Sequence, residues 1–231
     1  MHIPDGFLGP KTSMSLLGAA VGVLGYCLSK VLSAITVLVP NSVLATAGAN
    51  ATKMYNNGQL ALTKFGSEKI RKMGVVAAWI FAAQMFNFPI SNGTSGHLLG
   101  GVFAAVLLGP FAGTIVISVV LLAQSIFFAD GGVLAIGANI INMGFVGCLL
   151  SYYVYDYLKK FINENVAIAI AAWFSVVAAA FACSVEIGMA GKISAGTVTK
   201  AMLSVHAVIG IVEAAITLLL LKIFGKNKEV E

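Results

Sequence analysis

Long apolar runs constrain this chain more than any other feature. About 20 mostly apolar residues cross the hydrocarbon core of a bilayer, because that core is about 30 Å thick and a helix rises about 1.5 Å per residue. Seven segments read as spans: roughly 13–39, 73–90, His97 to Gly109-Pro110, 111–129, 133–155, 166–188 and 200–223. Composition closes the alternatives. Hydrophobic residues make up 59% and charged residues 10% of the 231 positions, whereas a soluble domain carries about 25% charged residues. A soluble globular domain, a disordered chain, a coiled coil and a nucleic-acid-binding domain are all excluded. The expected fold class is all-α: a polytopic integral membrane protein with seven transmembrane helices, forming a single domain over 1–231.

Basic residues orient the bundle. With the N-terminus outside, the inner segments hold Lys53, Lys64, Lys69, Arg71, Lys72, Lys159, Lys160, Lys222, Lys226 and Lys228, and the outer ones only Lys11, Lys192 and Lys200. This excess follows the positive-inside tendency, and Lys30 can snorkel to the inner surface. The expected topology is N-terminus outside, C-terminus inside. The start of the chain lacks the basic region of a secretory signal and carries Asp5 instead. Met1 is expected to survive processing, because His2 is too large for methionine removal. Pro4, Gly6 and Pro10 oppose a helix, so the first dozen residues read as an irregular outer tail. The stretch 40–66 is the least interpretable; Asn56-Asn57-Gly58 is a turn signal, and a short interfacial helix there is left open. Cys27, Cys148 and Cys183 sit in apolar runs without a CxxC pairing and read as buried thiols.

Polar side chains inside membrane spans are costly and mark functional sites. Here they gather at Gln84 and Asn87, at His97, from Gln124 to Asp130, at Asn139 and Asn142, and at His206 and Glu213. In this topology most lie in the outer half. From His97 to Leu108 a helix would be only about 18 Å long. His97 is therefore expected below the outer surface, after irregular backbone over 89–96, with Thr94 and Ser95 as helix caps. The alternative is a helix continuing past Gly109-Pro110.

His2 has a particular chemistry because the N-terminal amine lies one residue before it. The amine and the His2 amide nitrogen close a five-membered ring on a metal ion, and the His2 amide and Nδ1 close a six-membered one. Ni(II) and Cu(II) displace an amide proton and favour such square-planar nitrogen sites. A fourth nitrogen is needed: His97 is the first choice and His206 the second. The divalent ion and one amide anion leave about one positive charge, which Asp130 or Glu213 could neutralise.

Met1-His2-Ile3-Pro4-Asp5-Gly6-Phe7-Leu8 resembles the start of the CbiM/NikM family, the substrate-specific membrane components of cobalt and nickel energy-coupling-factor transporters. The resemblance continues through Phe81–Pro89, Gly93-Thr94-Ser95-Gly96-His97-Leu98-Leu99-Gly100-Gly101, Phe128-Ala129-Asp130-Gly131-Gly132, Gly137–Gly144, His206–Gly210 and Glu213, leaving out about residues 38–68. It implies a seven-helix membrane bundle with the N-terminal segment inserted from outside. It implies capture of Ni(II) or Co(II) by the amine of Met1, the amide and imidazole of His2, and the imidazole of His97. Asn139, Asn142, Asn87, Gln84 and His206 are expected to hold the ligand imidazoles, Asn139 foremost, with Asp130 near the ion. The implied partners are a transmembrane coupling protein, ATPase subunits and a small accessory membrane protein, in a bacterial or archaeal cell membrane. No GxxxxGK[ST] loop is present, so ATP hydrolysis belongs to the partners and this chain is not an enzyme. Ile3-Pro4-Asp5 and Phe128–Gly132 look like the nickel branch; the alternative is Co(II) uptake feeding cobalamin synthesis.

Overall fold

The computed structural model describes residues 1–38, 60–90 and 94–225. The Asn56-Asn57-Gly58 turn and most of the stretch left open around it lie outside the described residues. Within them the helices are α1 (Pro10–Ile35), α2 (Lys64–Gln84), α3 (Gly101–Leu108), α4 (Pro110–Phe127), α5 (Ile136–Leu158), α6 (Glu164–Met189) and α7 (Ala195–Gly225). The fold is all-α, as expected, with two short antiparallel ladders added to the helices. Strands β1 (Thr36–Leu38) and β2 (Leu60–Leu62) pair Thr36 with Leu62, and β3 (Phe88–Ile90) and β4 (Thr94–Gly96) pair Phe88 with Gly96.

Local chemistry explains most boundaries. Pro10 and Pro110 occupy first-turn positions of α1 and α4, where a missing N–H costs nothing. Gly109 at φ +87° separates α3 from α4, which removes the continuous helix through Gly109-Pro110. The Thr63 hydroxyl caps α2 by accepting from the Gly66 amide at 2.8 Å. Asn163 caps α6 by accepting from the Asn165 amide at 2.9 Å. The middle of α5, Ile140–Leu150, is wound as a π-helix, and the Ser151 hydroxyl donates five residues back to Val146 O. Such segments concentrate at functional sites.

Five helices, α1, α4, α5, α6 and α7, are long and apolar enough to cross a membrane. The other two expected spans are altered. The run 73–90 is not one helix: α2 ends at Gln84, and Phe88–Ile90 forms a strand. The first part of α2 instead carries Lys64, Glu68, Lys69, Arg71 and Lys72. The third segment does not begin its helix at His97, because Thr94–Gly96 is a strand and Gly100, at φ +75°, precedes an α3 of only 8 residues.

Helices α6 and α7 form the most extensive pair; α3 packs against both, α5 packs on α6, and α4 packs on α3 and α5. Small residues permit the approach. A Cβ on Gly101 would lie 2.3 Å from Gly147 O, and one on Gly137 would lie 2.4 Å from Leu17 N. The core includes Phe103, Ile117, Leu121, Met143, Ile187 and Met202, and it also takes in Met1 and Ile3 from the tail. Meanwhile Met14, Val21, Ile126, Ile170 and Ile211 are exposed, as expected of helices facing lipid. The starts of α1, α3, α5 and α7 and the ends of α2, α4 and α6 share one end of the bundle. The buried polar residues His2, Gln124, Asn139 and Ser184 lie toward that end.

Candidate metal centre

The tail enters the bundle as an extended strap. Asn139 treats Ile3 as a strand partner: its Oδ1 accepts from the Ile3 amide at 2.8 Å, and its Nδ2 donates to Ile3 O at 3.3 Å. The Gly132 amide also donates to Ile3 O, at 2.8 Å. Asp5 accepts from the amides of Val133 at 3.2 Å and Leu134 at 2.8 Å, and Lys192 Nζ donates to Gly6 O. As a result Met1 and Ile3 are fully buried and His2 is 4% exposed.

The segment after α4 is shaped to receive this strap. Ala129 has φ +52° and Gly131 φ +89°. A Cβ on Gly131 would press within 3.1 Å of His2 Cδ2, and one on Gly132 would sit 2.2 Å from Asp5 Oδ1. The turn delivers Asp130, whose Oδ1 lies 3.1 Å from His2 Nδ1 and accepts from Asn87 Nδ2 at 3.3 Å.

His97 is fully buried. Its ring stacks on that of His2, with centroids 4.6 Å apart and planes 23° from parallel. His97 Nδ1 lies 2.7 Å from Leu98 O, while Nε2 is buried with no hydrogen-bond partner. Two side chains hold the loop that follows. Glu213 accepts from the amides of Leu99 at 2.9 Å and Gly100 at 2.6 Å, and Gln84 Nε2 donates to Leu99 O at 2.7 Å. His206, on the same buried face of α7, repeats the pattern of His97: Nδ1 lies 2.7 Å from Met202 O and Nε2 is unpartnered.

The expected polar residues thus take different positions. Met1, His2, His97 and Asp130 come together. Asn87 touches Asp130, Gln84 and Glu213 hold the His97 loop, and Asn139 holds backbone of the strap. Of the residues expected to support ligand imidazoles, none has a hydrogen bond to the His2 or His97 ring. Asn142 donates to Glu186 Oε2 at 2.7 Å. The strap contacts of Asp5, Gly132 and Lys192 went unread in the sequence, as did Glu186. Gln124, which the sequence places among the polar residues without a role, is buried with its side-chain amide at the His2 imidazole. A glutamine one turn from the end of an otherwise apolar helix was the available signal.

Electrostatics suit a cation. Burial lowers the Met1 amine from 8.0 to about 6 and also lowers His2, against the opposing pull of Asp130. Burial works to raise the Asp130 carboxyl, but the neighbouring His2, amine and Asn87 together hold it below the usual carboxylate range. Both nitrogen groups are thereby biased toward the unprotonated forms that bind metals. Among the described residues, no three His, Cys, Asp or Glu side chains gather into a metal site.

The model of CbiM, the cobalt uptake substrate-specific transmembrane region, matches residues 2–230. The chain belongs to the CbiM family. This is a family of metal-transport components, not of enzymes. Among curated CbiM relatives, the "Putative fused nickel transport protein NikMN" of Archaeoglobus fulgidus is 37% identical over 219 residues, covering 94% of this chain and 63% of its own length. The chain therefore spans less than two thirds of that fused protein. The cobalt transport protein CbiM of Clostridium tetani is 29% identical over 168 residues, covering 69% of each chain. A crystal structure of a transition metal transporter superposes with a TM-score of 0.79 at 30% identity, covering 99% of this chain and 94% of that one. A truncated transition metal transporter gives 0.78 at 29% identity, covering 98% and 99%.

Proposed function

We propose that this chain captures Ni(II) from outside the cell for an energy-coupling-factor importer. The ion is held in a plane of four nitrogens: the Met1 amine, the His2 amide, His2 Nδ1 and His97 Nε2. The observation that carries the reading is the burial of Met1 and His2 against His97, whose Nε2 is unpartnered. On binding, the ion replaces the proton at His2 Nδ1, and Asp130 keeps its negative charge beside the new cation. One carboxylate then offsets the charge left after amide deprotonation, which lowers the cost of a cation in an apolar bundle.

Membership of the CbiM family supports a wider assembly around this chain. The bundle has seven membrane segments with the N-terminus outside, in a bacterial or archaeal cell membrane. It works with a transmembrane coupling protein, ATPase subunits that hydrolyse ATP, and a small accessory membrane protein. Nickel is favoured over cobalt by the resemblance of Ile3-Pro4-Asp5 and Phe128–Gly132 to the nickel branch. The second reading, Co(II) uptake feeding cobalamin synthesis, uses the same ligands and is supported by the cobalt transport relatives.

The test is one added residue before Met1. It moves the amine out of the five-membered ring and demands room where Met1 is fully buried. Calorimetry is expected to record loss of tight Ni(II) binding, and His97→Ala to weaken binding by well over tenfold. Full retention in the extended chain would end the chelate reading. Loss in His206→Ala but not in His97→Ala would reassign the fourth nitrogen.

A further inference from the structure

We infer that Glu213 is a positioning residue for the ligand His97, acting through the single peptide group that joins Leu98 to Leu99. The inference rests on the reading of His97 as an ion ligand. His97 Nδ1 lies 2.7 Å from Leu98 O. The N–H of that same peptide, on Leu99, donates to Glu213 Oε2 at 2.9 Å. The peptide is thus held between an imidazole and a carboxylate, in the order ring N–H, carbonyl oxygen, amide N–H, carboxylate oxygen.

Each part of this relay has a definite effect. A carbonyl accepts and cannot donate, so its contact with Nδ1 places the ring proton there and leaves Nε2 as a bare lone pair. His97 Nε2 is the buried, unpartnered atom. A carboxylate drawing on the amide N–H shifts electron density toward Leu98 O. That strengthens the Nδ1 hydrogen bond, because bonded groups in a low-dielectric site polarise one another. The imidazole becomes a stronger donor at Nε2, as when a carboxylate contacts a ligating histidine directly.

The fold is arranged to hold the relay. Glu213 is 2% exposed and sits two turns after His206 on the buried face of α7. Its Oε1 accepts from the next amide, Gly100, at 2.6 Å. Presenting two successive amides to one carboxylate uses the φ of +75° at Gly100, where a Cβ would also lie 2.8 Å from Ile80 Cγ1. On the far side, Gln84 Nε2 holds Leu99 O at 2.7 Å and fixes the following peptide. Glu213 therefore does not approach the ion as a neutralising charge. It aims and tunes a ligand.

The experiment uses the full chain purified in detergent, with Ni(II) as the probe. It compares wild type, Glu213→Gln, Glu213→Asp and His97→Ala by calorimetry and by the visible absorption band of the loaded protein. Glu213→Gln is expected to weaken binding roughly tenfold, the lower range for partners of metal-bound histidines. It should also move the band to longer wavelength as the Nε2 donor weakens. Glu213→Asp restores the charge and should recover part of the band shift. Wild-type affinity and band in Glu213→Gln would overturn the inference while leaving His97 as a ligand. Weakened binding with an unmoved band would also overturn it, because Glu213 would then merely anchor the loop. Wild-type binding by His97→Ala would remove the underlying reading itself.

Discussion

Replacing Asn139 by Ala isolates the seating of the N-terminal strap from the chemistry of the ion. In the metal-free protein the side chain makes two hydrogen bonds to Ile3, but they are not equivalent. Ile3 O keeps the Gly132 amide at 2.8 Å when Asn139 Nδ2 is removed. The Ile3 amide loses Asn139 Oδ1, the acceptor 2.8 Å away. Ile3 is fully buried and Asn139 is 1% exposed, so solvent does not replace that acceptor freely. An orphaned buried N–H costs about 1–3 kcal/mol. At about 1.4 kcal/mol per tenfold, the population with an unseated strap rises roughly 5- to 150-fold. The assay is the rate at which an amine-reactive reagent modifies Met1, read by mass spectrometry of the N-terminal peptide. Wild type should react slowly, because a buried amine reacts only from the unseated state, and Asn139→Ala should react faster by that factor. Asn142→Ala is the contrasting control: its amide bonds Glu186 rather than the strap, so the Met1 rate should stay near wild type. A rate within twofold of wild type in Asn139→Ala would refute the claim that this side chain holds the strap.

Gly132→Ala should be more damaging, because the new Cβ would fall 2.2 Å from Asp5 Oδ1 and 2.5 Å from the Asp5 amide nitrogen; at least a tenfold loss of Ni(II) affinity in calorimetry is expected, and unchanged affinity would mean the strap tolerates displacement at Asp5. Acid should unseat the strap. The seated amine has its pKa lowered from 8.0 to about 6, so seating is uncompromised above pH 8. The penalty grows as pH falls from 8 to 6 and reaches about 3 kcal/mol, at 1.36 kcal/mol per unit. Met1 modification, normalised to an exposed peptide amine at each pH, should therefore accelerate across that window, and a flat ratio would contradict the burial of the amine.

Legibility in the sequence divides along a physical line. Helices α4 to α7 are readable because each is a long apolar run, and local chemistry such as Pro110 and Asn163 bounds them. His2 was readable as a candidate ligand because the chelate rings depend only on adjacent atoms. The sequence predicts helix from His97 because Leu98 and Leu99 carry no local signal against one, whereas the helix begins at Gly101. The course of this segment is set instead by Glu213, 114 positions from Leu99, and by Gly100 in a left-handed conformation.

The same cause separates the polar residues that were chosen from what they do. Asn139 was expected at an imidazole, yet a side-chain amide matches the paired N–H and C=O of a strand residue equally well, and Ile3 offers that pair 136 positions away. Asp5 likewise finds the amides of Val133 and Leu134. Every residue type carries the same backbone donor and acceptor, so a sequence does not mark which peptide groups will need a side-chain partner. It does mark the side chains able to supply one, which is why membrane-embedded polar residues stand out in a sequence while their partners do not. An imidazole nitrogen is different. Its proton is set by whichever acceptor claims the other ring nitrogen, so the Leu98 carbonyl, a group no motif encodes, leaves Nε2 of His97 as the bare and unpartnered nitrogen.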